Sequence, residues 1–545
     1  MSLSRRHWLQ QSAHGAAAVA LLGSGCSTWR GPSPIPATVP QGATALPSVD
    51  LEAEAWPAAP VREWRAAWVA SVAHIDWPKE AGLSAAVLRA QILQIVQRSQ
   101  ALGLNALILQ VRPAADALYR SEIEPPSEYL QANGQPGLEF DALQEWVAAC
   151  HGAGMELHAW FNPYRARHAS ARQPIHERHV AQRHPDWVHR YGDLLWLDPG
   201  HPEAQAHSLS VIGDVVRRYD IDGVHVDDYF YPYPIKGGDG RDIPFPDDET
   251  FRRHRRMGLS NSDSDRAQWR RENVDRFVEQ MYRRVHELKP WVQVTISPFG
   301  IGRPDRRPSG ITGFSQYDLL HADVEHWCEQ GWLDALMPQL YWPRSRPAQS
   351  FEKLLDYWLS ANPRGRHVWP GLYTSSVANG TPTAWSPEEL LWQIDRQRER
   401  RGSTGHAHFS LQALMQDRGG LASELPRSRY AAPALPPATP WWGTGTPPSA
   451  PQAHRLADAR IALTTRAETP SSAWTPQEPR RFLVWRRPAG TGTSAWALKV
   501  VSAHMSAHMS AHMHLEPAQA DEIIVVQALD AVGREGPRRA FMARA

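Results

Sequence analysis

The segment DGVHVDDYF, residues 222–230, places two consecutive aspartates at the end of a short β-branched run. Alternate side chains of a strand lie on the same side, so Val224 and Val226 share one side while His225 and Asp227 share the other. The valines suit a hydrophobic layer, and we expect the polar pair to point away from it. A buried strand that ends in acidic residues therefore predicts a polar site at its carboxyl end.

Seven other apolar segments resemble this one, and amphipathic helical patterns separate them. The eight segments span residues 64–72, 105–113, 155–163, 222–230, 292–300, 335–343, 367–373 and 405–412. The helical patterns include Ser84–Leu102, Asp141–Ala153, Glu203–Tyr219 and Arg270–Leu288. Eight alternations predict an α/β fold, specifically a (β/α)8 TIM-like barrel. An open doubly wound sheet is the alternative, but no glycine-rich phosphate loop follows a strand.

Polar residues recur on one side of these segments, near their carboxyl ends. Strand alternation gives the inward set as Gln110, Arg112, His158, Trp160, Asn162, His225, Asp227, Thr295, Ser297, Gln339, Tyr341, His408 and Ser410. The carboxyl ends of barrel strands meet at one mouth, where barrel enzymes keep their active sites. We therefore expect one shared polar pocket.

The remainder of the chain predicts an exported protein with a second, smaller domain. Residues 1–26 combine Arg5 and Arg6 with a short apolar run that ends at Cys26, which is typical of an export signal with a lipidated cysteine. A soluble signal peptide with an incidental cysteine is the alternative. Residues 27–60 form a Pro/Ala-rich tether, 61–430 the barrel, 431–452 a Pro-rich linker and 453–545 a small β-sandwich.

The charge balance excludes one class of partner. Lys and Arg number 58 and Asp and Glu 57, for a formal net charge of +1, so nucleic acid is not expected as a partner. The chain has 24 Trp, and indole rings suit the apolar faces of sugars as well as they suit core packing. The composition favours a neutral, sugar-like substrate.

Glycoside hydrolysis needs two carboxyl groups, one as acid and one as base or nucleophile. Asp227 and Asp228 are the predicted catalytic residues, although either could instead cap the next loop or pair with an arginine. Asp76 could bind sugar hydroxyls or act as the second carboxylate, and Arg112 could hold Asp227 ionised. Asp198 could be either a turn residue or a site residue. The predicted substrate-binding residues are Asp76, Gln110, Arg112, His158, Trp160, Asn162, Tyr164, His225, Ser297, Gln339 and Tyr341.

No metal or cofactor is expected. The 25 His include no HExxH spacing, and the inward His158, His225 and His408 come from separate strands. An amidohydrolase-like metal site is the alternative, but its usual HxH is absent from the first strand. The SAHM repeat, Ser502–Met513, reads as a duplication that lengthens a loop, with metal binding by its histidines as the alternative. Cys150 and Cys328 read as unpaired core thiols.

Several longer motifs carry a family resemblance over residues 62–442. They are REWRAAWVASVAHIDWP, LNALILQVRPAADALYRSEIEPPSEYL, LHAWFNPYR, YDIDGVHVDDYFYPYP, WRRENVDRFV, TISPFGI and WLDALMPQLYWP. In this order they resemble glycosyl-hydrolase-like family ten, whose members include a division-site outer-membrane lipoprotein of enteric bacteria. The family's acidic motif falls on Asp227 and Asp228. His74 departs from the family, where Asn commonly stands.

The resemblance implies a barrel followed by a fibronectin-type-III-like sandwich, with no cofactor. It implies a glycoside hydrolase acting on peptidoglycan glycan strands stripped of stem peptides. It also implies an outer-membrane lipoprotein that faces the periplasm, held by an N-terminal lipid anchor, with the cell-division machinery as a partner. The alternatives are a non-catalytic glycan-binding lipoprotein and a hydrolase of another polysaccharide such as an α-glucan.

Overall fold

The computed structural model describes residues 43–131, 140–442, 445–465, 479–491, 496–503, 514–517 and 521–543. The predicted export signal with Cys26, and residues 504–513 of the SAHM repeat, lie outside the described residues. No helix in the described parts of the chain is both long and apolar enough to cross a membrane.

A closed ring of parallel strands forms the centre of the main domain. Its strands are β1 (Trp64–Val69), β2 (Ala106–Arg112), β3 (Glu156–Phe161), β4 (Gly223–Val226), β5 (Gln293–Ile296), β6 (Ala335–Leu336), β7 (His367–Val368), β8 (Gly371–Leu372) and β9 (Gly405–His408). β7 pairs with β6, β8 pairs with β9, and β9 pairs with β1. Because β7 and β8 are two pieces of one barrel strand, the ring closes as the predicted (β/α)8 barrel.

Helices surround the ring and follow the predicted pattern. They are α1 (Ala85–Ala101), α2 (Ala142–Gly152), α3 (Pro202–Arg218), α4 (Asp263–Leu288), α5 (Val324–Gln330), α6 (Phe351–Ser360), α7 (Pro387–Arg398) and α8 (Leu411–Met415). Shorter helices are Val180–Arg183, Asp248–His254, Gln316–Leu319 and Leu421–Glu424. The side chains of Ser84 and Asp141 cap the first two helices. α4 begins at Asp263, before the predicted Arg270, because Ser262 caps it there.

The two sides of the barrel strands pack differently. Val224 and Val226 lie in the hydrophobic layer between strands and helices, as alternation predicts. Inside the ring, large indoles pack among alanines, and Trp64 stacks on Trp369 with ring centroids 4.1 Å apart. Cys150 and Cys328 are buried free thiols.

Two four-stranded antiparallel sheets form the second domain. Their strands are β10 (Pro451–Arg455), β11 (Ile461–Thr465), β12 (Pro479–Pro488), β13 (Ala497–Ser502), β14 (His514–Leu515), β15 (Glu522–Asp530) and β16 (Arg539–Ala543), with Thr44–Ala45 as the eighth. The predicted tether at 27–60 is therefore wrong for its described part. Thr44–Ala45 pairs with β10 and Leu46 is buried in the sandwich core, because these residues complete a sheet edge.

The sandwich packs against the barrel end opposite the carboxyl ends of the strands. Arg480 pairs with Asp220 at 2.6 Å, and Arg481 pairs with Glu156, the first residue of β3, at 3.2 Å. The predicted linker at 431–452 also packs on this end. The indole N–H groups of Trp441 and Trp442 both donate to Asp334, at 2.7 and 2.6 Å.

Candidate active site

A cavity of about 320 Å³ opens at the carboxyl ends of the barrel strands. Residues at the ends of the barrel strands and in the segments that follow them form its wall. The strand-end residues are Trp68, Gln110, Trp160, Asp227, Asp228, Ser297, Gln339 and Tyr341, and the residues that follow include Arg165, His168, Tyr229, Tyr233, Tyr373 and Phe409. Dispersed segments thus converge on one pocket.

Asp227 is held at the cavity by three side-chain N–H contacts. The Asn162 amide nitrogen lies 2.8 and 2.9 Å from its two oxygens, and the Trp160 indole N–H donates at 3.2 Å. The carboxyl is only 6% exposed. Burial, and then the neighbouring Asp228 charge, raise the pKa of Asp227 to about 7, although Arg165 and the hydrogen bonds oppose the rise. A carboxyl in this state can hold a proton near neutral pH.

Asp228 lies beside Asp227 and has different partners. The Tyr233 hydroxyl donates to it, and the Gln339 amide hydrogen-bonds it from the strand end of β6. Burial raises the pKa of Asp228, while Tyr233, Gln339 and Arg165 act in the opposite direction. Asp227 and Asp228 are the only two acidic residues among the described residues that line this cavity.

A buried polar network holds the Asp227 carboxyl in position. Asn162 Oδ1 accepts from the Gln110 amide at 2.6 Å and from the Arg165 guanidinium at 2.7 Å. These two donors leave the Asn162 NH₂ group facing Asp227. The Gln110 side-chain oxygen Oε1 in turn accepts the backbone N–H groups of Ser71 and Val72, both at 3.0 Å. The network orients Asp227 before any substrate arrives.

His225 lies below the acid pair as a neutral side chain. The Trp68 indole donates to its Nε2 at 3.0 Å, so the proton is on Nδ1, which donates to Thr295 Oγ1 at 2.8 Å. Burial holds the pKa of His225 well below its usual range. It therefore supports the floor of the cavity and adds no positive charge.

Three stacked aromatic rings form part of the cavity wall. Tyr341 stacks on Tyr373, with centroids 5.1 Å apart and planes at 23°, and on Phe409 at 5.7 Å and 29°. Flat aromatic faces beside a carboxyl pair suit the apolar faces of sugar rings.

The expected pairing of Arg112 with Asp227 is wrong. A bulge in β2 sets Gln110 opposite Trp160 but Arg112 opposite Phe161, so Arg112 leaves the inward phase. Its guanidinium forms a buried two-bond pair with Glu124, at 2.8 and 2.5 Å. Arg165, in the short strand Arg165–Arg167 that follows β3, is the cation near the acid pair instead.

Five other predicted binding residues also lie outside the cavity wall: Asp76, His158, Asn162, Tyr164 and His225. Asp76 accepts the Ala70 and Gln412 backbone N–H groups and the Ser410 hydroxyl, which ties β1 to β9. Tyr164 is buried against Phe277 of α4, since it follows the strand and turns outward. His158 faces inward but lies near the start of β3, beside Glu156 and Trp64.

Asp198 is a turn residue. It accepts the backbone N–H of Gly200 at 2.8 Å just before α3, and His189 and Thr250 also hydrogen-bond it.

Asn162 and His225 act on the cavity through their neighbours. Within the described ranges, no group of three or more His, Cys, Asp or Glu is placed to hold a metal ion.

Strand alternation missed the loop residues of the cavity. Arg165, Tyr229, Tyr233 and Phe409 each follow a barrel strand within a few residues. The available signal is the dense aromatic run YFYPYP after the aspartates, since aromatic loops beside a carboxyl pair favour sugar contact.

Comparison with known proteins identifies the family. The model of the Glycosyl hydrolase-like 10 family matches residues 63–386, which include every residue that lines the cavity except Phe409. The chain belongs to this family. It is a glycoside hydrolase, as the carboxyl pair at the barrel mouth indicates.

Two curated relatives and one solved structure are similar to this family member. Glycosyl hydrolase YngK of Bacillus subtilis (strain 168) is 38% identical over 394 residues, covering 71% of this chain and 75% of the relative. Glycosyl hydrolase DigH of Escherichia coli (strain K12) is 31% identical over 347 residues, covering 60% and 76%. The PgaB (BpsB) glycoside hydrolase domain from Bordetella bronchiseptica aligns with a TM-score of 0.43 at 12% identity, covering 67% of this chain and 98% of that domain.

Proposed function

We propose that this enzyme hydrolyses the glycan strands of bacterial peptidoglycan after their stem peptides have been removed. The observation that carries the proposal is the convergence of Asp227 and Asp228, both with raised pKa, on a cavity walled by Tyr341 and Phe409. The acid pair supports glycosidic bond hydrolysis, and the motif resemblance supports the cell-wall substrate.

The two carboxyl groups take different roles because their charges are coupled. When Asp228 is ionised, its charge helps to raise the pKa of Asp227, so Asp227 keeps the proton. Asp227 then protonates the leaving glycosidic oxygen as the sugar ring gains oxocarbenium character. Asp228, ionised and held by Tyr233, serves as the base or nucleophile through which water adds to the anomeric carbon.

Substitution of each aspartate tests these roles. Asp227→Asn should abolish cleavage of glycan but spare cleavage of an aryl glycoside whose leaving group needs no proton. Asp228→Asn should abolish both, and added azide should restore turnover of the aryl glycoside. The reverse pattern would exchange the two roles, and full activity in both variants would refute the carboxylate mechanism.

Substrate assays separate this proposal from its alternatives. Purified protein is incubated with peptide-free glycan strands, intact sacculi and starch, and mass spectrometry identifies the fragments. We expect fragments from the peptide-free strands. Release from starch alone would refute the cell-wall substrate. Asp227→Asn that binds glycan and retains the biological effect would favour a non-catalytic role.

We further propose that the enzyme is exported and anchored to the outer membrane through Cys26, where cell-division proteins are its partners. Arg5 and Arg6, the short apolar run, and Ser27 after the cysteine support the export and the anchor, and the motif resemblance supports the cell-division partners. Cys26→Ala should release the protein from membranes in fractionation, and persistent membrane association would refute the anchor.

A further inference from the structure

A second cavity, of about 620 Å³, adjoins the catalytic one. Tyr341 and Tyr373 line both cavities, so the stacked tyrosines are a shared wall. The second cavity lies over the segments that follow β6 and β8, on the same end of the barrel as Asp227. A chain-like substrate bound at the acid pair can therefore continue into it.

Two further indoles give this cavity apolar faces. Trp342 and Trp385 line it, and Trp385 meets Tyr373 edge-on at 5.9 Å. The backbone of Trp385 is fixed: its N–H donates to the Ser376 carbonyl at 2.8 Å, and its carbonyl accepts from Ala378 at 3.1 Å. The aromatic surface is thus held in place, as a sugar-binding surface requires.

The second cavity also carries one uncompensated positive charge. Arg346 lines it and is exposed, and its guanidinium makes no hydrogen bond or ion pair with any residue that the structure describes. The backbone of Arg346 is anchored, since its N–H donates to Pro343 at 2.9 Å. The acidic residue of this cavity, Glu389, is already paired with Arg344 at 2.9 Å. Arg346 is therefore open to an anion on the substrate.

We propose that this second cavity binds the sugars next to the cleaved bond and that Arg346 binds a free carboxylate on them; this inference rests on the proposed function. In peptidoglycan the stem peptide joins the glycan through an amide on an acidic side arm of every second sugar. Hydrolysis of that amide replaces a neutral group with a carboxylate, which matches the two-pronged guanidinium. Arg346 thus selects strands on which an amide-hydrolysing enzyme has already acted.

The experiment compares two substrates that differ only in that carboxylate. One is peptide-free glycan, and the other is the same material with its carboxylates converted to neutral methylamides by carbodiimide coupling. We measure kcat/KM for wild type, Arg346→Ala, Arg346→Lys and Arg401→Ala. Arg401 is a matched control, because it is also exposed but lies just before β9, at the other end of the barrel.

Wild type should cleave the acidic glycan about fivefold faster than the amidated glycan, as expected for one partly exposed charge pair of about 1 kcal/mol. Arg346→Ala should remove that preference by slowing only the acidic substrate, Arg346→Lys should keep part of it, and Arg401→Ala should keep all of it. Equal wild-type rates on the two glycans, or an unchanged preference in Arg346→Ala, would overturn the inference and leave the proposed function intact. Cleavage of neither glycan by wild type would overturn both.

Discussion

Replacing Trp160 with Phe should move the alkaline limb of the pH profile upward. The indole N–H donates to Asp227 Oδ2 at 3.2 Å, and a donor favours the ionised carboxylate. Removing it therefore raises the pKa of Asp227 above its value of about 7. A hydrogen bond to a charged group contributes about 1.5 kcal/mol at the lower end of its range, which corresponds to about one pH unit.

The assay is the pH dependence of kcat/KM on peptide-free glycan, whose alkaline limb reports the acid of the free enzyme. With a limb moved from about 7 to about 8, the protonated fraction at pH 8 rises about fivefold. Trp68→Phe is the control, because that indole lines the same cavity but donates to His225. A limb that stays in place in Trp160→Phe, or moves equally in both variants, would refute the assignment of Asp227 as the acid.

Three shorter predictions follow from the same contacts. Asp227→Asn should raise the melting temperature more at pH 8 than at pH 4. The Asp227 carboxyl has a pKa of about 7 in the folded protein and about 4 in the unfolded chain, so the free energy of unfolding of the wild type falls as the pH rises between these two values. Arg480→Ala should lower the free energy of unfolding in urea by about 3 kcal/mol, because it strips Asp220 of a buried partner at 2.6 Å. Tyr233→Phe should move the acidic limb of kcat/KM upward, because Asp228 loses a donor that favours its ionised form.

Strand alternation predicted the inward residues wherever the ladder is regular. Gln110, Trp160 and Asp227 all follow it, because a two-residue period fixes the side of the strand on which each one lies. It failed at Arg112, where the bulge adds a residue to β2. Nothing in the local sequence marks that bulge, since it depends on how β2 pairs with β3.

Sequence patterns also did not predict the packing of residues 43–60. Their prolines and alanines show no period, yet Leu46 is buried in the sandwich and Val49 donates to Ala540 at 3.1 Å. A two-residue strand is too short to carry a periodic signal. The strand Thr44–Ala45 is held by pairing with β10, which comes from the other end of the chain.

The two ends of β4 show that surroundings, and not residue type, decide what an aspartate does. Asp222, just before the strand, is buried, which alone would raise its pKa, but His151 and Arg480 outweigh burial and hold it well below the usual range. Asp227, just after the strand, has Arg165 and hydrogen bonds from Asn162 and the Tyr229 backbone against burial and a neighbouring charge, and its pKa still rises to about 7. One carboxylate is therefore a permanent anchor for the sandwich, and the other can exchange a proton. The sandwich neutralises the aspartate at the amino end of β4 and leaves the carboxyl end uncovered. The chemistry is therefore confined to the barrel mouth.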